Sequence, residues 1–156
     1  MPKRWLVCSD NLKGGVVAEK LLVVEDDPDY RALLTRNLLR AGFDFEAVGT
    51  ITEAIECLRK SLFDGMLLDV GLPDVNPDAV VRKIKDHYPD VAIVVLSGNR
   101  DPKFIEQTIA RNASAYLLKD IDDQSPKALA QEIRKGFALH KYARSVGRLI
   151  EQEQSE

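Results

Sequence analysis

Short aliphatic runs alternate with stretches of helical period along most of this chain, and that alternation leaves few folds open. Leu21-Leu22-Val23-Val24 is unbroken by any polar residue and stops at Glu25-Asp26-Asp27. A strand with one wet face alternates apolar and polar residues, so an unbroken run suits a strand covered on both faces of a parallel sheet. Pro28 follows where a first helical turn tolerates it, and Asp27 is placed to cap that turn. Tyr30, Leu33, Leu34, Asn37, Leu38 and Ala41 then recur at helical spacing, with Gly42 ending the stretch as a C-cap does.

The unit then repeats. Phe43–Val48 reads as a strand and Ile51–Leu62 as a helix with Ala54, Ile55, Leu58 and Leu62 on one face. Met66-Leu67-Leu68 is a strand running into Asp69, and Pro77–His87 is helical. Val91–Leu96, the most β-branched run, leads to Ser97-Gly98-Asn99; Pro102–Arg111 follows as a helix. Ala115–Leu118 is a strand into Lys119, and Pro126 opens a last helix. Five β–α units with right-handed crossovers imply an α/β, doubly wound, five-stranded parallel sheet with helices on both faces. A chain of 156 residues is expected to hold one such domain.

In open parallel sheets the ligand site lies outside the carboxyl ends of the strands. Glu25-Asp26, Asp69, Ser97 and Lys119 each stand just past a strand end, so residues scattered in sequence are expected to converge. Carboxylates gathered there repel one another. At about 4 Å a pair costs about 1 kcal/mol in water and about 4 kcal/mol at an effective dielectric near 20. Lys119 offers one compensating charge, and an all-oxygen set of Glu25, Asp26, Asp69 and the Gly71 carbonyl suits Mg²⁺. Such an ion serves phosphoryl chemistry, for which Asp69 is the plausible nucleophile, forming an acyl phosphate. Ser97 and Lys119 can each meet a phosphate oxygen.

The segments VVEDDPDYR, LLDVGLPD, VVLSGN and AYLLKD, in this order and spacing, resemble a bacterial response-regulator receiver domain over roughly Lys20 to His140. The resemblance implies a flavodoxin-like (βα)5 fold with strand order 2-1-3-4-5. It implies Asp69 as phosphoacceptor, Glu25 and Asp26 as the acidic pair at the metal, and Lys119 as the catalytic lysine. It further implies Ser97 as the switch hydroxyl and Tyr116 as the switch aromatic. The phosphodonor it implies is a sensor histidine kinase or a histidine phosphotransfer protein. The chain would then be a stoichiometric acceptor that catalyses its own phosphorylation and dephosphorylation, rather than a turnover enzyme. Two departures stand out: Asp120 follows Lys119 where the family has proline, and Pro77 stands at a common glycine position. A non-proline cis bond costs about 2.5–4 kcal/mol, so a trans or distorted turn is expected at Asp120. The alternative is a degenerate receiver serving as a phosphorylation-independent interaction scaffold.

Composition narrows the partners. A net charge of −3 gives no general attraction to nucleic acid, and no apolar run has the length of a membrane helix. Cys8 and Cys57 form neither a disulfide framework nor a zinc site, and MPKRWLVCSD lacks a long apolar h-region, so a cytoplasmic location is expected. Residues 1–20 read as a flexible extension and 21–140 as the receiver domain, with a further helical stretch over 141–156. Leu139, Tyr142, Val146, Leu149 and Ile150 form an apolar stripe on that extended C-terminal helix. It reads either as a homodimer contact or as a stub leading to an absent output domain; otherwise signalling falls to a downstream protein partner.

Overall fold

The computed structural model describes residues 18–73, 76–110, 113–119 and 125–155. Residues 1–17 of the expected flexible extension and the turn at Asp120 lie outside the described residues, and Lys20 already belongs to the first strand. The elements follow the sequence pattern: β1 (Lys20–Val24), α1 (Pro28–Arg40), β2 (Asp44–Val48), α2 (Ile51–Lys60), β3 (Gly65–Asp69), α3 (Pro77–His87), β4 (Ala92–Ser97), α4 (Pro102–Ala110), β5 (Ala115–Leu118) and α5 (Pro126–Gln154). The five strands are parallel and lie in the order β2-β1-β3-β4-β5.

Two-residue alternation divides the aliphatic runs between two cores. Leu21 and Val23 of β1, Leu67 of β3, Val94 and Leu96 of β4 and Leu117 of β5 pack on one side with α1 and α5. Leu22, Val24, Met66, Leu68, Ile93 and Val95 pack on the other with α2 and α3. No strand face is left to water at the centre of the sheet, which is why the runs show no polar break. Each fully buried Leu or Val contributes about 1.5–3 kcal/mol by its removal from water.

Local chemistry sets the helix ends. The Asp27 carboxylate caps α1, accepting from the Asp29 and Tyr30 N–H groups. At the other end Gly42, at φ +89°, lets its own N–H reach the Leu39 carbonyl and that of Phe43 reach Leu38. At the start of α2 the Thr50 hydroxyl caps the helix, accepting from the Glu53 N–H and donating to the Glu53 carboxylate. That helix is shorter than its apolar pattern suggests. Ser61 is extended, and Leu62 is 93% exposed instead of completing the inner face.

Helix α5 runs for 29 residues, about 44 Å at 1.5 Å per residue, well beyond the sheet it packs on. Its buried residues end at Phe137. Past that point His140 Nε2 lies 2.9 Å from the Pro89 carbonyl oxygen, and Arg144 pairs with Asp90 at 3.0 Å. These contacts fix the helix where it leaves the domain, at the end of the sheet opposite the carboxyl ends of the strands. Among the described helices, none is long and apolar enough to cross a membrane.

Candidate functional site

Strand register brings the tips of β1, β3, β4 and β5 together. Val24 pairs with Leu68 and Asp69 with Leu96, and Val70 N–H donates to the Leu96 carbonyl. Lys119 N–H donates to the Ser97 carbonyl, which ties the residue after β5 to the end of β4. Asp69 continues the alternation of Leu67, and Glu25 that of Leu21 and Val23, so both belong to the side carrying α1 and α5. Ser97 continues the alternation of Ile93 and Val95, and Tyr116 packs with that opposite core.

The carboxylates and the lysine meet as the sequence pattern suggests. Lys119 Nζ lies 2.6 Å from Glu25 Oε2 and 3.1 Å from Asp69 Oδ2. Asp69 Oδ1 accepts from the Gly71 N–H at 2.8 Å, and Glu25 Oε1 accepts from the Asp27 N–H at 3.2 Å. Glu25 is wholly buried and Asp69 is 4% exposed, whereas Asp26 faces solvent. Burial pushes the Glu25 carboxyl above its ordinary range; the Lys119 hydrogen bond opposes this and the Asp69 charge adds to it. Burial acts to lower the Lys119 pKa, but hydrogen bonds to Glu25 and Asp69 outweigh it and hold the ammonium above its usual value.

The donor set fits a hard divalent cation. One carboxylate oxygen from each of Glu25, Asp26 and Asp69 can be chosen so that all lie within 4.8 Å of one another. Three negative charges against the single ammonium of Lys119 leave an excess of two, the charge a divalent ion supplies. Oxygen ligands alone suit Mg²⁺. Gly71 stands beside Asp69, close enough that a Cβ there would come 3.2 Å from Asp69 Oδ1.

Ser97 and Tyr116 are joined through one residue. The Asn99 N–H donates to Ser97 Oγ at 3.0 Å, and the Asn99 carbonyl accepts from the Tyr116 hydroxyl at 2.8 Å. The Tyr116 ring meets Phe104 of α4 edge to face, with centroids 6.4 Å apart. A continuous set of contacts therefore leads from a buried hydroxyl at the site to α4.

Sequence reasoning overlooked three participants. The Lys119 ammonium sits 4.9 Å from the centre of the Tyr30 ring, and Arg31 Nη1 donates to the Glu25 carbonyl at 2.6 Å. Tyr30 gave only the signal of helical spacing, which marks a core-facing residue and carries no chemistry. Arg31 and Asn99 gave none: one works through its reach to a backbone carbonyl, the other through its own backbone.

A family model described as the response regulator receiver domain matches residues 21–133. The transcriptional regulatory protein DegU of Brevibacillus brevis is 27% identical over 145 residues, which cover 88% of this chain and 61% of DegU. The two-component response regulator ORR21 of Oryza sativa subsp. japonica is 31% identical over 134 residues, 82% of this chain and 19% of that protein. This chain thus spans less than two thirds of either relative. Among solved structures, the chemotaxis response regulator CheY4 of Vibrio cholerae superposes with a TM-score of 0.67 at 23% identity, over 77% of this chain and 99% of CheY4. That likeness carries the fold.

Proposed function

Because this chain belongs to the response-regulator receiver family, we propose that it takes a phosphoryl group onto Asp69 and transmits the event through Ser97 and Tyr116. The observation that carries this reading is the buried Asp69 carboxylate at the tip of β3, held between the Lys119 ammonium and the Gly71 N–H beside Glu25.

An Asp69 oxygen attacks phosphorus in a phosphohistidine of a sensor histidine kinase or histidine phosphotransfer protein. The O–P bond forms as the P–N bond breaks, and the imidazole nitrogen keeps the electron pair. Lys119 pairs with the phosphoryl oxygens as charge moves onto Asp69, and the Ser97 hydroxyl donates to one of them. Glu25 and Asp26, with Asp69 and the Gly71 carbonyl, would hold Mg²⁺, which when bound neutralises phosphoryl oxygens. Water attack on phosphorus of the acyl phosphate breaks the Asp69 O–P bond, releases inorganic phosphate and restores the carboxylate, so each phosphoryl group is accepted and lost stoichiometrically.

Phosphorylation adds about −1.5 to −2 charges beside Lys119. When the Ser97 hydroxyl turns to the new oxygens it gives up the Asn99 N–H, and the Tyr116 hydroxyl loses its fixed carbonyl partner on the same residue. Helix α4 feels this through Phe104. The shift is bounded by how differently the phosphoryl group interacts with the two shapes. Readout falls to a downstream protein partner or an output domain, in the cytoplasm where the donor kinase presents its phosphohistidine. DegU is named as a transcriptional regulatory protein.

Incubation with Mg²⁺ and acetyl phosphate, followed by intact mass measurement, tests the reading. The wild type should gain the mass of one phosphoryl group and Asp69→Ala should gain none while keeping its fold. Labelling retained in that variant would refute the assignment of Asp69. Presence of the acidic pair, Asp69, Ser97 and Lys119 together disfavours a scaffold that is never phosphorylated.

A further inference from the structure

Beyond the sheet, the exposed face of α5 carries a repeat that the phosphoacceptor reading does not use. Leu139, Tyr142, Val146 and Leu149 recur at steps of three, four and three residues, and they are 61%, 71%, 36% and 61% exposed. This is the spacing of a coiled-coil seam. The flanks of the seam are uncharged: Ala143 and Ile150 on one side, Ala138, Ser145 and Gln152 on the other. The charged residues of this stretch, Lys141, Arg144, Arg148 and Glu151, fall on the remaining positions. Arg144 is engaged with Asp90 of its own domain. Continuing the same spacing outward places Lys135 at one end of the seam and Glu153 at the other. Lys135 is well exposed, its side chain at 71%, and pairs locally with Glu132.

We propose that this seam is covered by a second copy of the same chain, its α5 running antiparallel. Charge selects both the occupant and its direction. In a parallel pair Lys135 would face Lys135 and Glu153 would face Glu153, each a like-charge layer. In an antiparallel pair, one register sets Leu139 against Leu149 and Tyr142 against Val146, with each contact made twice by symmetry. That register also sets Lys135 of each copy against Glu153 of the other. Four apolar layers are thereby closed at both ends by opposite charges. Shifting the register by one heptad in either direction sets a Glu or Lys against an apolar residue and leaves a seam residue uncovered. A two-fold pairing of this kind is closed, so it yields a dimer and no filament. Each C-terminal turn would lie along the outer face of the partner's α5, on the side away from its buried Ile133 and Phe137.

Sedimentation equilibrium on the full chain tests this independently of phosphorylation. The wild type should show a concentration-dependent monomer–dimer equilibrium, and Leu149→Asp should remove it. Lys135→Glu and Glu153→Lys should each raise the dimer dissociation constant about tenfold, as two attractions become two repulsions. The double variant exchanges the charges and should return to within about twofold of wild type, since the pair is restored across the interface. A chain monomeric up to about 1 mM, a dimer indifferent to Leu149→Asp, or a double variant without rescue would each overturn the proposal. Asp69→Ala should dimerise as the wild type does, so failure of the phosphoacceptor reading is separately visible.

Discussion

Lys119 is held from three directions, by Glu25, by Asp69 and by the face of the Tyr30 ring. A cation over an aromatic face gains about 0.5–1 kcal/mol at a partly exposed site. Tyr30→Leu should therefore slow phosphorylation of Asp69 by acetyl phosphate about threefold, while Tyr30→Phe, which keeps the ring, should not. His140 illustrates a different residue-scale effect. Burial lowers its pKa below the ordinary 6.5; the Pro89 carbonyl opposes this, Arg144 and Lys85 reinforce it, and Asp90 opposes it. The folded state thus binds fewer protons here than the unfolded state, so this contribution is full above 6.5 and fades as pH falls through the lowered value. His140→Gln, which can still donate to Pro89, should lose less stability than wild type between about pH 7.5 and about pH 5.5 in urea unfolding. The convergence of the acidic pair, Asp69, Ser97 and Lys119 was legible because each stands at, or just past, the end of a strand. Tyr30 was not, because nothing in a helix pattern says that its ring will lie under an ammonium from β5.

At the scale of elements, the start of β3 leaves no room for a side chain at Gly65, where the Phe137 ring of α5 lies against the backbone. A Cβ on Gly65 would overlap the Phe137 ring, and the Ala92 carbonyl stands 3.2 Å from the same point. Gly65→Ala should destabilise the protein by about 1–3 kcal/mol, measured by denaturant midpoint, through overpacking. Trimming the ring with Phe137→Leu should recover part of that loss in the double variant, because the two sites share one volume. Among the described residues, the five strands and five helices were legible from apolar period and cap chemistry, since those signals lie within a few residues of where they act. The end of α2 was less so: Leu62 continues the helical spacing, yet the chain turns at Ser61. Periodicity cannot report where a helix stops when the last apolar residue has nothing to pack on.

For the whole molecule, the site and the α5 extension occupy opposite ends of the sheet. The last buried residue of α5 is Phe137, so the receiver core is complete before the extension begins. A chain ending after His140 should fold cooperatively and accept phosphoryl from acetyl phosphate at the wild-type rate. Its stability should fall by no more than about 1 kcal/mol, as expected for loss of the exposed Arg144–Asp90 pair. It should also sediment as a monomer at concentrations where the full chain dimerises.

The amino-acid sequence alone determined the alternation of buried strands and amphipathic helices, and with it the parallel doubly wound sheet. Hydrophobic period and cap residues are local, and both are written in consecutive positions. It also placed acidic, hydroxyl and ammonium groups at strand ends, which was enough to expect them to converge beyond the sheet. Only the tertiary structure decided that Glu25 is sealed from water, that Lys119 bridges it to Asp69, and that Asn99 links Ser97 to Tyr116. Those facts depend on how strands distant in sequence are registered side by side, and burial and distance exist only once the sheet has formed.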